Sequence, residues 1–332
     1  MGKERAERPN PRLAWAELLR LPALFTVPGD ALAGAPATAV HPNPRTLLAI
    51  GSSLCLYEAG MALNDWADRE EDATERPHRP LPSGRIRPTA AFTAACALTC
   101  AGLALAARAG RPALAVAAPL AATVWSYDLA LKHTPAGPAA MATARALDLL
   151  LGAAATTGRT RGALPSAALL GTHTLAVTAV SRQETKGGSP LAPLAALATT
   201  ALLSRLLTHR PNRSPADPRQ AAARGVPGTP PDVLASVTGR RRRRWSGPPR
   251  PTADTVSTAF AAAYAATAAR PNFHAALNPS PPLTQRAVGG GIRATIPLQA
   301  ALTARSGAVL TALFVAGLAP LGRRFGRRVS IT

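Results

Sequence analysis

The stretch Asn64-Asp65-Trp66-Ala67-Asp68-Arg69-Glu70-Glu71-Asp72 closes an apolar run that begins near Thr46 and opens a loop, Asp65–Thr89, rich in both charge signs. Asp65, Asp68 and Asp72 are spaced three and four apart, which on an α-helix sets them on one face. Carboxylates so placed repel one another, and a divalent cation offsets the repulsion. Magnesium prefers oxygen ligands, keeps several waters and bridges carboxylates to phosphates. A solvated acidic helix end, its charge shared with Arg69 and Arg76, satisfies the same pattern, so the stretch alone leaves both readings open. Next comes Arg76-Pro77-His78-Arg79-Pro80-Leu81-Pro82-Ser83-Gly84. Its prolines impose a non-helical path. Arg76 and Arg79 suit bidentate phosphate binding, unless Glu70 and Glu71 take them up.

Working outward, apolar blocks recur along the chain at the length a membrane-spanning helix needs, about 20 residues. The expected spans are Leu13–Ala35, Thr46–Asn64, Ala90–Ala109, Pro112–Leu131, Pro138–Thr157, Leu164–Val180, Leu191–Leu207, Thr252–Ala269 and Leu298–Leu321. Strand-like alternation is absent. Lipid leaves backbone amides only helices or closed barrels. The expectation is an all-α polytopic membrane bundle of about nine transmembrane helices around a central cavity. Its parts are a polar tail (1–12), seven helices (13–209), a Pro- and Arg-rich loop that reads as disordered (210–251), the last helices (252–321) and a basic tail (322–332).

Of the 332 residues, 47% are hydrophobic but only 4% aromatic, so the apolar content is mostly Ala and Leu, strong helix formers that permit close helix contacts. The net charge of +21 suggests a polyanion binder. Arginine, however, lies mainly outside the apolar blocks, with no interleaved aromatics to stack bases. Nucleic acid is excluded on this reading, and anionic membrane lipid is the expected partner of the basic loops. Cys55, Cys96 and Cys100 lie within apolar blocks, and Cys96 and Cys100 lack His or Cys partners for a metal; buried thiols are expected. The N-terminus lacks a signal-peptide pattern. Lysine and arginine in the early loops place the N-terminus and Asn64–Gly84 in the cytoplasm. Nine spans would then leave Arg210–Pro251 and Arg323–Arg328 outside, against the same rule, so a late span is miscounted or the early helices dominate.

The segment Asn64–Gly84 resembles the first aspartate motif of the UbiA superfamily of intramembrane prenyltransferases, which includes 4-hydroxybenzoate polyprenyltransferase. The resemblance covers residues 13–210 well and 252–321 more weakly. Tyr127 followed by Lys132 resembles the family's Tyr/Lys site after the fourth helix. Arg145, Asp148 and Gly152 resemble its fifth-helix pattern, where Asn is commoner at the middle position. The Tyr57–Met61 and Ser181–Gly188 segments resemble the Ebo-type branch. The resemblance implies Mg²⁺ and an isoprenyl diphosphate donor held near the cytoplasmic face, and transfer of the prenyl group to an aromatic or lipid acceptor whose identity the sequence does not give. It implies metal contacts from Asp65, Asp68 and Asp72, phosphate or substrate contacts from Asn64, Arg76, Arg79, Tyr127, Arg145 and Asp148, and a catalytic role for Lys132.

One motif departs from the pattern. Where a second aspartate motif is due, the chain reads Ser181-Arg182-Gln183-Glu184-Thr185-Lys186-Gly187-Gly188, with Glu184 its sole acid. Glu184 is expected as the residual ligand of the second metal site, with Arg182 and Lys186 supplying charge toward phosphate; pairing of Glu184 with either cation is the alternative. This departure also allows a catalytically degenerate membrane protein that binds or moves a lipid-linked or polyketide-like compound. Intramembrane acids are costly and often functional. Glu58, two turns deeper on the face of Asp65, is expected to orient or deprotonate an acceptor, or else to be a hydrogen-bonded bundle residue. Asp30 lines the cavity or satisfies a backbone group freed by Pro28. Asp128 is expected to pair with Lys132, and Asp148 with Arg145. Arg286 and Arg293 flank Gly289-Gly290-Gly291, a possible phosphate-cradling loop.

Overall fold

Runs of Ala and Leu punctuated by Pro and Gly become helices in the computed structural model, which describes residues 11–184, 189–209 and 252–329. No strand occurs among the described residues. The helices are α1 (Pro11–Leu18), α2 (Pro28–Ala37), α3 (Pro44–Ala67), α4 (Arg69–Glu75), α5 (Pro88–Ala109), α6 (Arg111–Ser126), α7 (Gly137–Thr157), α8 (Leu164–Ser181), α9 (Leu191–Thr208), α10 (Ala253–Leu277), α11 (Pro281–Arg305) and α12 (Val309–Val329). Six of them, α3 and α5 to α9, are long and apolar enough to cross a bilayer, α6 with the π turn Tyr127–Leu131 that continues it and α8 with the 3-10 turn before it. The fold is an integral-membrane helical bundle; the expected count of nine spans is not reproduced by length and hydropathy among the described residues.

Short α2 is the hub. It packs on α3, α7, α8, α11 and α12, and every residue from Gly29 to Pro36 is buried. Small residues make this crossing possible. A Cβ on Gly34 would stand 2.0 Å from the Leu149 carbonyl oxygen, and one on Gly152 would stand 2.3 Å from that of Ala31. The α2 and α7 backbones therefore touch, as small residues allow in membrane bundles. At the opposite end, Asn43 caps α3: its side chain accepts from the Arg45 and Thr46 amides, Thr46 caps reciprocally, and Pro44 occupies the first turn. Asn43 Nδ2 also donates to the Thr156 carbonyl at 3.1 Å, tying α3 to the end of α7.

Four expectations are corrected. The first span is not continuous: α1 ends at Leu18, Arg20 adopts a left-handed φ of 48°, a 3-10 turn covers Leu21–Thr26, and α2 follows. Pro22 and Pro28 stand in the first turn of the new segments, where the missing backbone N–H is tolerated. The ninth span Leu298–Leu321 straddles a turn at Ser306–Ala308, where Gly307 has φ 90°. Finally, Gly289–Gly291 is not a loop but lies inside α11, and the chain assigned to a basic tail from 322 continues α12 to Val329.

The separate α12 resolves half of the topology conflict. Arg305, ending α11, donates to the Leu206 carbonyl near the end of α9 at 2.7 Å, so both helices finish at the bundle end remote from Asp65. After the Gly307 turn α12 runs back, and Gly322 lies against Phe25 in the 3-10 turn beside Arg20. The arginine-rich end of α12 therefore returns to the end that carries Asp65. The 210–251 loop lies outside the described residues, as do residues 1–10.

Candidate active site

Helix α3 carries its cavity wall at the spacing of a helical face: Ser53, Leu56, Tyr57, Gly60, Met61 and Asn64. From Ser53 to Asn64 this wall is about 16 Å long at the helical rise. With residues of α6 and α7 and with Arg20 it encloses about 300 Å³, predominantly apolar. Arg20, Asn64 and Asp128 stand toward the charged end; Ser53, Arg145 and Asp148 form the buried one.

At the charged end the chain turns sharply. Helix α3 stops at Ala67, Asp68 has φ −89° and ψ 5°, and α4 starts at Arg69. Asp65, Asp68 and Asp72 therefore do not share one uninterrupted helix. Each instead meets a cation. Arg20 donates to Asp65 Oδ1 at 3.2 Å. Arg79 lies 2.6 Å from Asp72 Oδ2 and 3.8 Å from Asp65 Oδ1, and Arg76 lies 3.5 Å from Asp72 Oδ1. Lys132 donates to Asp68 Oδ1, with His133 Nε2 3.9 Å from the same oxygen. Glu70 takes Arg69, so neither Glu70 nor Glu71 absorbs Arg76 or Arg79 among the described contacts. Arg85 clamps the loop to α1 through Glu17 at 2.6 and 3.1 Å.

Tyr127 and Lys132 are presented by the π turn Tyr127–Leu131, where the Lys132 amide reaches back to the Tyr127 carbonyl at 2.9 Å. Such turns often re-aim side chains at functional sites. Here the turn directs Tyr127 and Asp128 to the cavity and Lys132 to Asp68. Asp128 pairs not with Lys132 but with Asn64, whose Nδ2 donates to it at 3.1 Å.

At the buried end, Arg145 stands 2.8 Å from Asp30 Oδ2, and Gln299 donates to Asp30 Oδ1 at 2.6 Å. Ser53 donates to Asp148. The expected Arg145–Asp148 pair is thus replaced by Arg145–Asp30 and Ser53–Asp148. Glu58 is buried, both its oxygens lack a hydrogen-bond partner among the described residues, and it is not among the residues lining the cavity. Arg182 donates to the Thr134 carbonyl, beside the Lys132 loop. Glu184 is half-buried; burial raises its carboxyl above the usual range, and Arg76 opposes that shift. Lys186 lies outside the described residues. None of the expected buried thiols is fully buried: Cys55 and Cys96 are partly exposed and Cys100 is exposed. Sequence reasoning missed Arg20, Ser53 and Gln299 as site residues; their acidic partners are distant in the chain.

The fit to magnesium can be judged from the carboxylate oxygens. All ion pairs of Asp65 and Asp68 fall on Oδ1, leaving each Oδ2 without an ion-pair partner among the described residues. Two hard oxygen donors beside Arg76, Arg79 and Lys132 suit a magnesium–phosphate ligand. Asp72 commits both oxygens to arginine and would join only by releasing one. Separately, Asp68, Glu71 and His133 are the group of three among the described residues whose ligand atoms all approach within 4.8 Å.

Comparison with known proteins agrees with this architecture. A UbiA homolog from Aeropyrum pernix K1 superposes with a TM-score of 0.58 at 17% identity, covering 84% of this chain and 96% of that one. A UbiA homolog from Archaeoglobus fulgidus bound to GPP and Mg²⁺ gives 0.54 at 16% identity, covering 90% and 99%. Among curated sequences, the digeranylgeranylglyceryl phosphate synthase of Methanopyrus kandleri is 35% identical over 127 residues, 37% of this chain and 45% of the relative. The match thus spans less than half of that relative's length. The UbiA prenyltransferase family matches residues 23–209, more than half of the chain, and to that family the chain belongs.

Proposed function

We propose that this protein is a magnesium-dependent membrane prenyltransferase that takes its prenyl group from an isoprenyl diphosphate. The observation that carries the reading is the position of the acid–base cluster. Arg20, one of its cations, also lines a mainly apolar cavity that ends on buried Arg145 and Asp148. A diphosphate at the cluster would place its hydrocarbon chain in the cavity. The relatives support the class: one structural neighbour is bound to GPP and Mg²⁺, and the curated relative is a digeranylgeranylglyceryl phosphate synthase, which favours a lipid over an aromatic acceptor.

In this reading Asp65 and Asp68, whose Oδ2 atoms carry no ion pair among the described residues, would hold the metal. Arg76, Arg79 and Lys132 exchange carboxylate partners for phosphate oxygens, and Asp72 keeps the two arginines in place. Magnesium held there would supply charge neutralisation for the leaving diphosphate. The bond between the allylic carbon and the diphosphate oxygen breaks, and its electron pair leaves with diphosphate. A new bond forms from the acceptor nucleophile to that carbon, and the acceptor loses a proton. Asp128 borders the cavity and is placed to take it; Glu58 would first have to rotate. Tyr127 lines the cavity against the prenyl chain, and at the end of α8 Arg182 lies near Tyr127 and Glu184 near Arg76, outside the cavity lining. The cluster faces the cytoplasm in this reading.

A second reading rests on Glu184, which neighbours Arg76 and does not join a metal-competent group with Asp65 and Asp68 among the described residues. It makes the cavity a binding site for a lipid-linked compound without transfer. Incubating the purified protein with labelled GPP, magnesium and either a glycerophosphate lipid or an aromatic acceptor decides between them. Magnesium-dependent prenylated product supports transfer. Magnesium-dependent donor binding with no product from either acceptor class supports the second reading and overturns the first.

A further inference from the structure

The outer face of the α10–α11 hairpin carries a concentration of positive charge that the active site does not use. Arg270 and His274 on α10 and Arg286 and Arg293 on α11 line one groove of about 360 Å³. All four are exposed. None forms an ion pair among the described residues. The sequence explains this: from Thr252 to Thr332 the only acid is Asp254, and it begins α10 at the far end of the bundle. These helices cannot neutralise their own arginines here.

The surroundings are apolar. Phe273, Leu277 and Ile292 are 52%, 70% and 52% exposed on the same hairpin, as expected of a face turned to hydrocarbon. Arg286 lies about 8 Å along α11 from its start and Arg270 about 10 Å from the end of α10, at the helical rise. Uncompensated guanidinium groups at such a surface are costly and recruit an anion or reach toward the interface. The glycine run serves this arrangement. A Cβ on Gly289 would stand 3.2 Å from Arg293 Nη1, so the bare glycine admits a guanidinium folded back over its own helix. Gly290 admits Pro271 of α10, whose ring would lie 2.8 Å from a Cβ there, and so keeps the two basic helices close. The motif that reads as a phosphate loop thus builds an arginine niche instead.

Arg293 also borders a second groove of about 430 Å³, which continues along α10 and α11 away from the hairpin turn and is walled by Ala263, Thr267, Ile292, Ile296, Ala316 and Ala319. A cationic pocket therefore opens end to end onto an apolar one, and neither shares a residue with the catalytic cavity. We propose that this double groove binds an anionic phospholipid of the surrounding bilayer, its phosphate among Arg270, Arg286 and Arg293 and one hydrocarbon chain along α11 and α12. Basic pockets between membrane helices commonly take anionic headgroups, and guanidinium groups supply the bidentate donors.

Native mass spectrometry of the full-chain protein in detergent tests this, with phosphatidylglycerol, phosphatidylcholine of the same chains, and inorganic phosphate as probes. Phosphatidylglycerol should bind at least tenfold more tightly than phosphatidylcholine. Arg286→Gln and Arg293→Gln should each weaken it by about tenfold, while Arg286→Lys retains most of it. Ala319→Trp, which fills the apolar groove, should weaken long-chain phosphatidylglycerol but not a short-chain form, and it keeps the test informative if the arginine variants unfold. Equal binding of the two lipids would overturn the proposal, as would phosphatidylglycerol affinity unchanged in the folded arginine variants. So would inorganic phosphate competing as strongly as the lipid, because the site would then be one for free phosphate.

Discussion

Arg145 on α7 stands 2.8 Å from Asp30 on α2, an acid with no exposed surface, and the pair joins the two helices whose backbones touch at Gly34 and Gly152. Removing one member of a buried pair strands the other, at a cost of about 3–5 kcal/mol. Asp30→Ala should therefore lower thermal stability sharply in detergent. The paired change Asp30→Asn with Arg145→Gln should lose clearly less than Asp30→Ala. Thermal unfolding of the variants checks this, and equal losses would mean that the pair contributes nothing beyond its two side chains.

The carboxylates at the cavity mouth should separate into two kinds. Asp65→Asn and Asp68→Asn each remove an oxygen proposed for magnesium and should abolish magnesium-dependent binding of GPP. Asp72→Asn leaves those oxygens but frees Arg76 and Arg79, and should weaken donor binding about 10–100-fold while preserving its magnesium dependence. Titrating GPP with and without magnesium distinguishes the outcomes. Identical behaviour of all three variants would remove the distinction drawn between metal ligand and arginine anchor.

Much of this architecture is legible locally. The expected spans Ala90–Ala109 and Pro138–Thr157 match α5 and α7 closely, because Pro and Gly bracket uninterrupted apolar runs. The charged stretch Asn64–Gly84 likewise announces its cluster, since its acids and arginines lie within a few turns of one another. What periodicity cannot supply is long-range pairing. Asp30 with Gln299, Ser53 with Asp148 and Arg20 with Asp65 join residues distant in the chain. Glycine misled at Gly289–Gly291, where helix packing against Pro271 and Val177 outweighs the low helix propensity. Two turns were hidden in apolar sequence, at Arg20 and at Gly307, because hydropathy does not register backbone conformation.

Orientation gives a direct test of α12. If Asn64–Gly84 faces the cytoplasm, Gly307 must face outward, because it joins α11 to α12 at the opposite end of the bundle. A single cysteine replacing Ser83, in a background lacking native cysteines, should resist an impermeant thiol reagent in intact cells. One replacing Gly307 should react. Efficient labelling at Ser83 would invert the proposed topology, and protection at both positions would contradict a return of α12 across the membrane.

Glu184 is the remaining acid of the segment after α8, and its environment makes a pH-dependent claim. Burial raises its carboxyl above the ordinary range and outweighs the opposing pull of Arg76. The folded state therefore holds this proton more tightly than the unfolded chain does. The stabilisation is complete below the ordinary glutamate range and is lost as pH rises through the raised value. Glu184→Gln should remove that slope and leave the protein slightly more stable at neutral pH. If Glu184 also helps anchor magnesium, only its ionised form serves, so turnover should fall on acidification through the same raised value. The variant should lose that acidic limb and need more magnesium for half-maximal turnover, while Glu184→Asp retains part of the function. Turnover measured against magnesium at several pH values separates the two roles. A stability change with unchanged magnesium curves would confine Glu184 to a local electrostatic role near Arg76 and remove it from the metal site.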